Sequence, residues 1–428
     1  MLTRLYRHGP SRQSISKGYV VAGPAPENIV RQVLGERAAR PGPITARAAP
    51  HQPHVIRLET GMTSLHTFRA REALFKELAG SAAELAERVA RAGGTLLPCA
   101  VGPADGGPWG PYLCDDLHRV QTSDPLETAA YCNLLRLELP TLIAASGRAA
   151  LGPRGVQSGG SRRLAESTQH HPPHYLVSAS PEHLARVTRC MQRDEGLPRL
   201  DLLDVYPAPG DDGSAAFVEL RFNDGQAVLS TVRAQALLYQ AMFICARRWA
   251  RDEHLFQPAD HRVLQRNRSR AVAEGMQARF ESEKGGAGEP DGDGPRPGGR
   301  YRTARSALLT LVEKLRYELQ VLEAEYEEVA PLVLGATLRR LGHAGLQNEN
   351  DLLRTLHRQR PGEGPTRTAE TLLRSPAAAG DLLRWNEQLF AAPAAEVRDW
   401  WEQFLRTPVE QRPAPDGRAA TNFNTSRG

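Results

Sequence analysis

Apolar residues at Phe68, Leu74, Phe75, Leu78, Ala82, Leu85 and Val89 recur at steps of three and four. That spacing predicts one long amphipathic helix over residues 65–92. A short strand, VIRLETG from Val55, leads into it. The Gly93-Gly94 pair stops it, and TLLPCAV from Thr95 reads as the next strand. Helices and strands go on alternating over 122–249. Ser123-Asp124-Pro125 offers an N-cap and a first-turn proline for a helix running toward Leu137. AFVELRFND reads as a strand that feeds a helix over 231–248. The last third is helical, with one strongly amphipathic helix over 304–328 and others near Asp351 and Thr368, ending around Trp400. Strands of mixed polarity between long helices predict an α+β fold: an antiparallel sheet with helices packed on one face and a helical C-terminal part.

Residues 1–53 are rich in Pro, Arg and Ala and offer one helical segment, 26–34. The stretch KGGAGEPDGDGPRPGG, 284–299, holds too little apolar surface to join a core and reads as a disordered insertion. The organisation expected is a basic tail over 1–13, one domain over 14–407 and a disordered tail over 408–428. The apolar runs near Leu134 and Ala234 fall short of the roughly 20 residues of a membrane span. No apolar segment follows the basic N-terminus, so a cytoplasmic location is the expectation. Five widely spaced cysteines without a C-x-x-C pair read as buried thiols. A net charge of +5 raises nucleic acid as a partner. The arginines nevertheless alternate with acids along the chain, as on solvated helix faces, and would have to merge into one stripe. Nucleic acid and membrane are therefore not the expected partners.

FVELRFND, from Phe217 to Asp224, followed by a long helix, resembles the T-V-E-V-R-x-x-D strand of the glutamate–cysteine ligases and ATP-dependent carboxylate–amine ligases of the bacterial YbdK-like type. Its neighbours come in the family's order. LRLELPTLIAASGRAALG from Leu135 is similar to the family's l-P-x-l-x-A-L-S helix, and GVQSGGSRR to its S-x-R stretch. LDVYPAP from Leu203 lies where the family has W-D-x-R-P, and QRNRSRAVAEGMQARF from Gln265 resembles N-R-x-x-A-x-x-x-G-l. RLETGMTS and GGTLLPCAVGP resemble the early strand–helix–strand. The resemblance runs over about 14–390. It implies a glutamine-synthetase-like catalytic fold whose sheet holds ATP and Mg²⁺. A carboxylate would attack the γ-phosphate, and an amine would then displace the acyl phosphate. Carboxylates are needed there to hold the metal, and arginines to grip phosphate and substrate carboxylate.

Carried over residue by residue, the resemblance makes Glu219 the metal ligand and places Arg221 and Arg162 on phosphate or substrate carboxylate. Arg221, Asp204 and Asp224 would serve the cofactor, with His118 and Glu59 as further candidates. Glu219 and Arg221 share a strand face by alternation. Departures are equally plain. Ser16 and Gly18 stand where the first strand carries two glutamates, Arg57 where an acid is common, and Tyr206 where an arginine sits. H-V-H-V-G is reduced to LHRVQ. Two readings stay open. One is an altered ligase acting on an amino-acid-like substrate. The other is a non-catalytic homologue that keeps the fold to bind a small molecule or a protein, with a homo-oligomer open in either case.

Three other features are better explained without a ligand. HHPPH, from His170 to His174, has no Cys or acid at metal-ligand spacing. The glycines between Gly155 and Gly160 are not followed by G-K-[ST], as a phosphate loop would be. Trp385 and the Asp399-Trp400-Trp401 run suit a helix core or a partner face.

Overall fold

A computed structural model of the protein describes residues 11–38, 44–50, 52–98, 113–147, 151–152, 155–156, 160–208, 217–251, 259–281, 301–343, 351 and 390–408. Its main sheet is antiparallel throughout and built around β1 (Arg12–Ala22). On one side of β1 lie β3 (Gln52–Thr60) and β2 (Ile44–Ala49). On the other lie β6 (Asp116–Gln121), β10 (Phe217–Leu220) and β9 (Val205–Ala208). Short strands β4 (Thr63–Ser64) and β5 (Thr95–Leu97) pair with the two ends of β1.

Alternation sorts the side chains. Ile15, Tyr19 and Val21 of β1 share a face with Ile56 and Leu58 of β3, Val120 of β6, and Val218 and Leu220 of β10. All are buried under α1 (Pro26–Ala38), α2 (Phe68–Arg91), α3 (Pro125–Ser146) and α6 (Leu229–Arg251). Burying each large apolar side chain of this layer contributes about 1.5–3 kcal/mol. The opposite face carries Ser14, Ser16 and Gly18, then Arg57 and Glu59, then Arg119, Glu219 and Tyr206. This is the predicted antiparallel sheet with helices on one face.

Helix α2 starts at N-cap Thr67, whose hydroxyl accepts from the Ala70 amide, and buries Phe75, Leu78, Ala82, Leu85 and Val89 as the periodicity requires. Asp124 caps α3 through the Leu126 and Glu127 amides. Helix α3 then runs past its expected end near Leu137 and through Pro140 to Ser146. Proline has no N–H for the carbonyl of Arg136 four residues back. The Nε2 of His171 lies 3.2 Å from that oxygen and takes the amide's place.

The single helix expected over 304–328 is three: α8 (Ala304–Lys314), α9 (Arg316–Val321) and α10 (Tyr326–Arg340). Leu308, Leu311, Leu315, Leu319 and Leu322 keep helical spacing across the breaks and are all buried, which hides the interruptions in the sequence. The chain turns at Glu323 (φ 51°) and restarts where Glu325 and Glu328 form a capping box. Glu328 also clamps the two parts of the molecule. Both its oxygens accept from Arg71 of α2, at 2.7 Å each, and one accepts from Arg233 of α6 at 2.8 Å. Helix α11 (Ala391–Arg406) closes the C-terminal cluster with Trp401 buried and Trp400 exposed. The insertion over 284–299, Trp385, Cys99 and the helix expected near Thr368 lie outside the described residues. No described helix is long and apolar enough to cross a membrane.

Candidate functional site

The face of the sheet opposite these helices gathers Arg119, Glu219, Tyr206 and Arg221. Glu219 stands directly between Arg119 and Tyr206 in the cross-strand register. Arg119 Nε donates to Glu219 Oε1 at 2.7 Å, and the Tyr206 hydroxyl donates to Oε2. Arg221 Nε lies 3.5 Å from the same Oε2, and Arg221 Nη1 donates to the Asp201 carbonyl at 3.1 Å. Glu219 is 5 % exposed, whereas both arginines are one-third exposed. Arg119 lies over the Phe217 ring and Arg221 over the Tyr206 ring, at 5.5 and 5.7 Å from the centroids. Burial, then the bond to Glu219, raises the Tyr206 pKa well above its usual value, so its hydroxyl stays a neutral donor.

The other acids of this face are also occupied. Glu59 Oε1 accepts from Ser16 Oγ at 3.0 Å and pairs with Arg47 at 2.5 Å. Arg57 pairs with the Asp115 carboxylate and donates to the Asp115 carbonyl at 3.3 Å. Burial pushes the Asp115 pKa up, but Arg57, Arg163 and Arg221 together outweigh it and hold it below the ordinary range. Glu59 sits three strands from Glu219, about 14 Å at roughly 4.8 Å per strand. Asp115 precedes Arg119 by four residues, about 13 Å along an extended strand. Paired catalytic metals sit roughly 4 Å apart, so these carboxylates do not fit a two-metal site. Among the described residues no group of three or more His, Cys, Asp or Glu could hold a metal ion.

Gly18, at the place of a family glutamate, has no room for one. A Cβ there would lie 2.3 Å from Cys114 Sγ and 2.7 Å from the Asp115 carbonyl. The chain entering β6 crosses the space that such a carboxylate would fill.

The remaining candidates scatter. Asp204 is fully buried and held by Arg268, Nε to Oδ2 at 2.6 Å and Nη2 to Oδ1 at 3.0 Å. Asp224 is buried too and accepts from Ser161 Oγ at 2.7 Å and Arg163 Nε at 2.9 Å. Arg162 pairs with Glu166 at 2.6 Å within its own short helix, α4 (Arg162–Glu166), which precedes α5 (Pro181–Cys190). Arg163 is the neighbour that reaches inward, donating also to the Arg221 and Asn223 carbonyls. The S-x-R spacing counted from Ser161 lands on Arg163 and was the available signal. His118 points under the helices rather than to the polar face. Its Nδ1 lies 3.0 Å from Gln13 Nε2, its ring meets the edge of Tyr239, and burial lowers its pKa to about 3. Arg119, one residue on, takes the polar-face position.

Also missed was Lys17, fully buried and 2.9 Å from Asp116, whose other oxygen accepts from the Gln226 amide. Burial lowers the Lys17 pKa and Asp116 raises it, with a net rise, so the lysine is charged. The glycines of 155–160 form no described phosphate cradle. The Gly160 amide donates to the Ala273 carbonyl at 3.2 Å, and a Cβ there would meet the Ala271 carbonyl at 2.1 Å. Cys114, Cys132 and Cys245 are buried free thiols and Cys190 is half-buried.

No protein-family model and no curated protein matches this chain. Among solved structures it is similar to the complex between the prokaryotic ubiquitin-like protein Pup and its ligase PafA. The identity is 13 %, over 90 % of this chain and 80 % of that one, with a TM-score of 0.46.

Proposed function

We propose that this protein is a binding protein on a ligase-type scaffold, taking an anionic small molecule on the polar sheet face without a divalent metal. One observation carries the reading. Glu219, the carboxylate placed for a metal by the sequence resemblance, is enclosed by two guanidiniums and a tyrosine hydroxyl. Arg119 and Arg221 keep solvent-facing donors beside it. Planar guanidinium suits the bidentate grip of carboxylate or phosphate, and the two rings behind the arginines hold them in place.

A second reading, an ATP-dependent carboxylate–amine ligase, is favoured by Glu219 and Arg221 sharing that face. In it Glu219 would need to leave Arg119 before serving Mg²⁺, and no described carboxylate stands beside it to share the ion.

Thermal unfolding separates the two. Under the first reading inorganic phosphate or glutamate alone raises the midpoint, and Arg119→Gln or Arg221→Gln abolishes the shift. Stabilisation reaches about 2.7 kcal/mol at a hundredfold excess over Kd. A shift that requires ATP and Mg²⁺ together, and vanishes in Glu219→Gln, supports the ligase instead.

A further inference from the structure

A second basic surface lies away from the main sheet, where α7 (His261–Glu274) meets the hairpin of β11 (Arg279–Glu281) and β12 (Tyr301–Thr303). The pairing Glu281↔Tyr301 and the period of two put Arg279, Glu281 and Tyr301 on one face of the hairpin. Arg266 and Arg270, one helical turn apart, both donate to Glu281, at 2.6 and 2.8 Å, which leaves the cluster net positive. Arg270 also donates to the Arg279 carbonyl at 3.3 Å and lies under Tyr301, 5.3 Å from the ring centroid. One face of Tyr301 is thus backed by a cation, while the residue is 50 % exposed. Arg279 is exposed, and its guanidinium has no partner among the described residues. A groove of about 320 Å³ is bounded by Arg270, Glu274, Gln277, Arg279 and Tyr301.

We infer that this groove binds a free mononucleotide, independently of the sheet face. The base stacks on the outer face of Tyr301, which the guanidinium behind it fixes in orientation. The phosphate meets Arg279, and the exposed Glu274 carboxylate accepts from an exocyclic amine of the base. An inorganic anion would use the arginine and leave the ring idle. An extended single strand would need further aromatic platforms for its successive bases, and Tyr301 is the one aromatic residue bounding the groove among the described residues.

The test is calorimetric titration with AMP, at low salt and without divalent cation, of the full chain carrying Arg119→Gln and Arg221→Gln, which remove the anion grip of the sheet face. AMP is expected to bind, and Tyr301→Leu and Arg279→Gln each weaken it about tenfold, within the range that base stacking and phosphate contacts supply. Tyr301→Phe retains the affinity, which separates stacking from damage to the hairpin. Adenosine and ribose 5-phosphate each bind more weakly than AMP in that background. Four results would overturn the assignment: no AMP binding at millimolar concentration, binding that survives both substitutions, equal affinity for ribose 5-phosphate, or a twelve-nucleotide oligothymidylate bound ten times more tightly than AMP.

Discussion

Arg119 and Glu219 face each other directly across β6 and β10, with Nε and Oε1 2.7 Å apart. Glu219 is buried and Arg119 is not, so an incoming anion competes with this carboxylate for both Arg119 and Arg221. Glu219→Gln removes the competing charge but keeps the shape. Anion affinity is therefore expected to rise, by roughly threefold to tenfold for a partly exposed pair. Titration with phosphate in the absence of Mg²⁺ reads this. A fall in affinity would mean that Glu219 itself contributes to the ligand and would return the site to the ligase reading.

Gly18 supplies a test of the sheet itself. Its missing side chain is what lets Cys114 and Asp115 pass close beside β1, where Asp115 bridges to Asp224. Gly18→Ala forces backbone atoms apart and is expected to cost about 1–3 kcal/mol by overpacking. The urea midpoint measures it. Ser16→Ala, on the same face with an ordinary contact to Glu59, should fall well below that cost.

The sheet and its helices were legible because alternation and helical spacing report burial, and burial is what fixes these elements. Phe75, Leu78 and Leu85 could have been assigned to the core from spacing alone. The site was less legible because a one-residue change of register swaps one face for the other. His118 and Arg119 differ by that single step, and on a helix one residue is about 100° of rotation, which separates Arg162 from Arg163. Nor does a sequence show which acid a given arginine neutralises. Arg119 with Glu219, and Arg268 with Asp204, are pairs 100 and 64 residues apart in the chain.

His118 gives the fold an acid sensitivity with a definite sign. Burial lowers its pKa from 6.5 to about 3. It is neutral in the folded state, while the unfolded chain takes up a proton below pH 6.5. Its contribution is complete above pH 6.5 and is lost as the pH falls toward 3, at up to about 1.4 kcal/mol per pH unit. Urea midpoints between pH 7 and pH 4.5 should fall in the wild type. His118→Gln keeps a partner for Gln13 and removes this share of the slope. An unchanged slope would show that His118 is not the group responsible.

Pro140 and His171 should be energetically coupled, because one leaves vacant what the other fills. The Arg136 carbonyl loses its helical donor at Pro140 and faces His171 Nε2 at 3.2 Å. Both ring nitrogens face carbonyl oxygens, Nδ1 that of Pro172 at 3.0 Å and Nε2 that of Arg136. The Pro172 carbonyl also accepts from Arg136 Nε at 2.9 Å, and the coupling is that of the Nε2–H tautomer. Burial first, and Arg136 second, hold the His171 pKa well below the usual value, which keeps the ring in that neutral form. His171→Ala removes a donor from a buried carbonyl and is expected to cost about 1–3 kcal/mol. Pro140→Ala restores an amide at the position from which a helix normally satisfies that oxygen. In the Pro140→Ala background, His171→Ala should therefore cost measurably less, a coupling that a double-mutant cycle in urea detects. Equal costs in both backgrounds would mean that the histidine holds its loop by packing alone. A histidine directed at this carbonyl makes His171 of the HHPPH run a brace for α3.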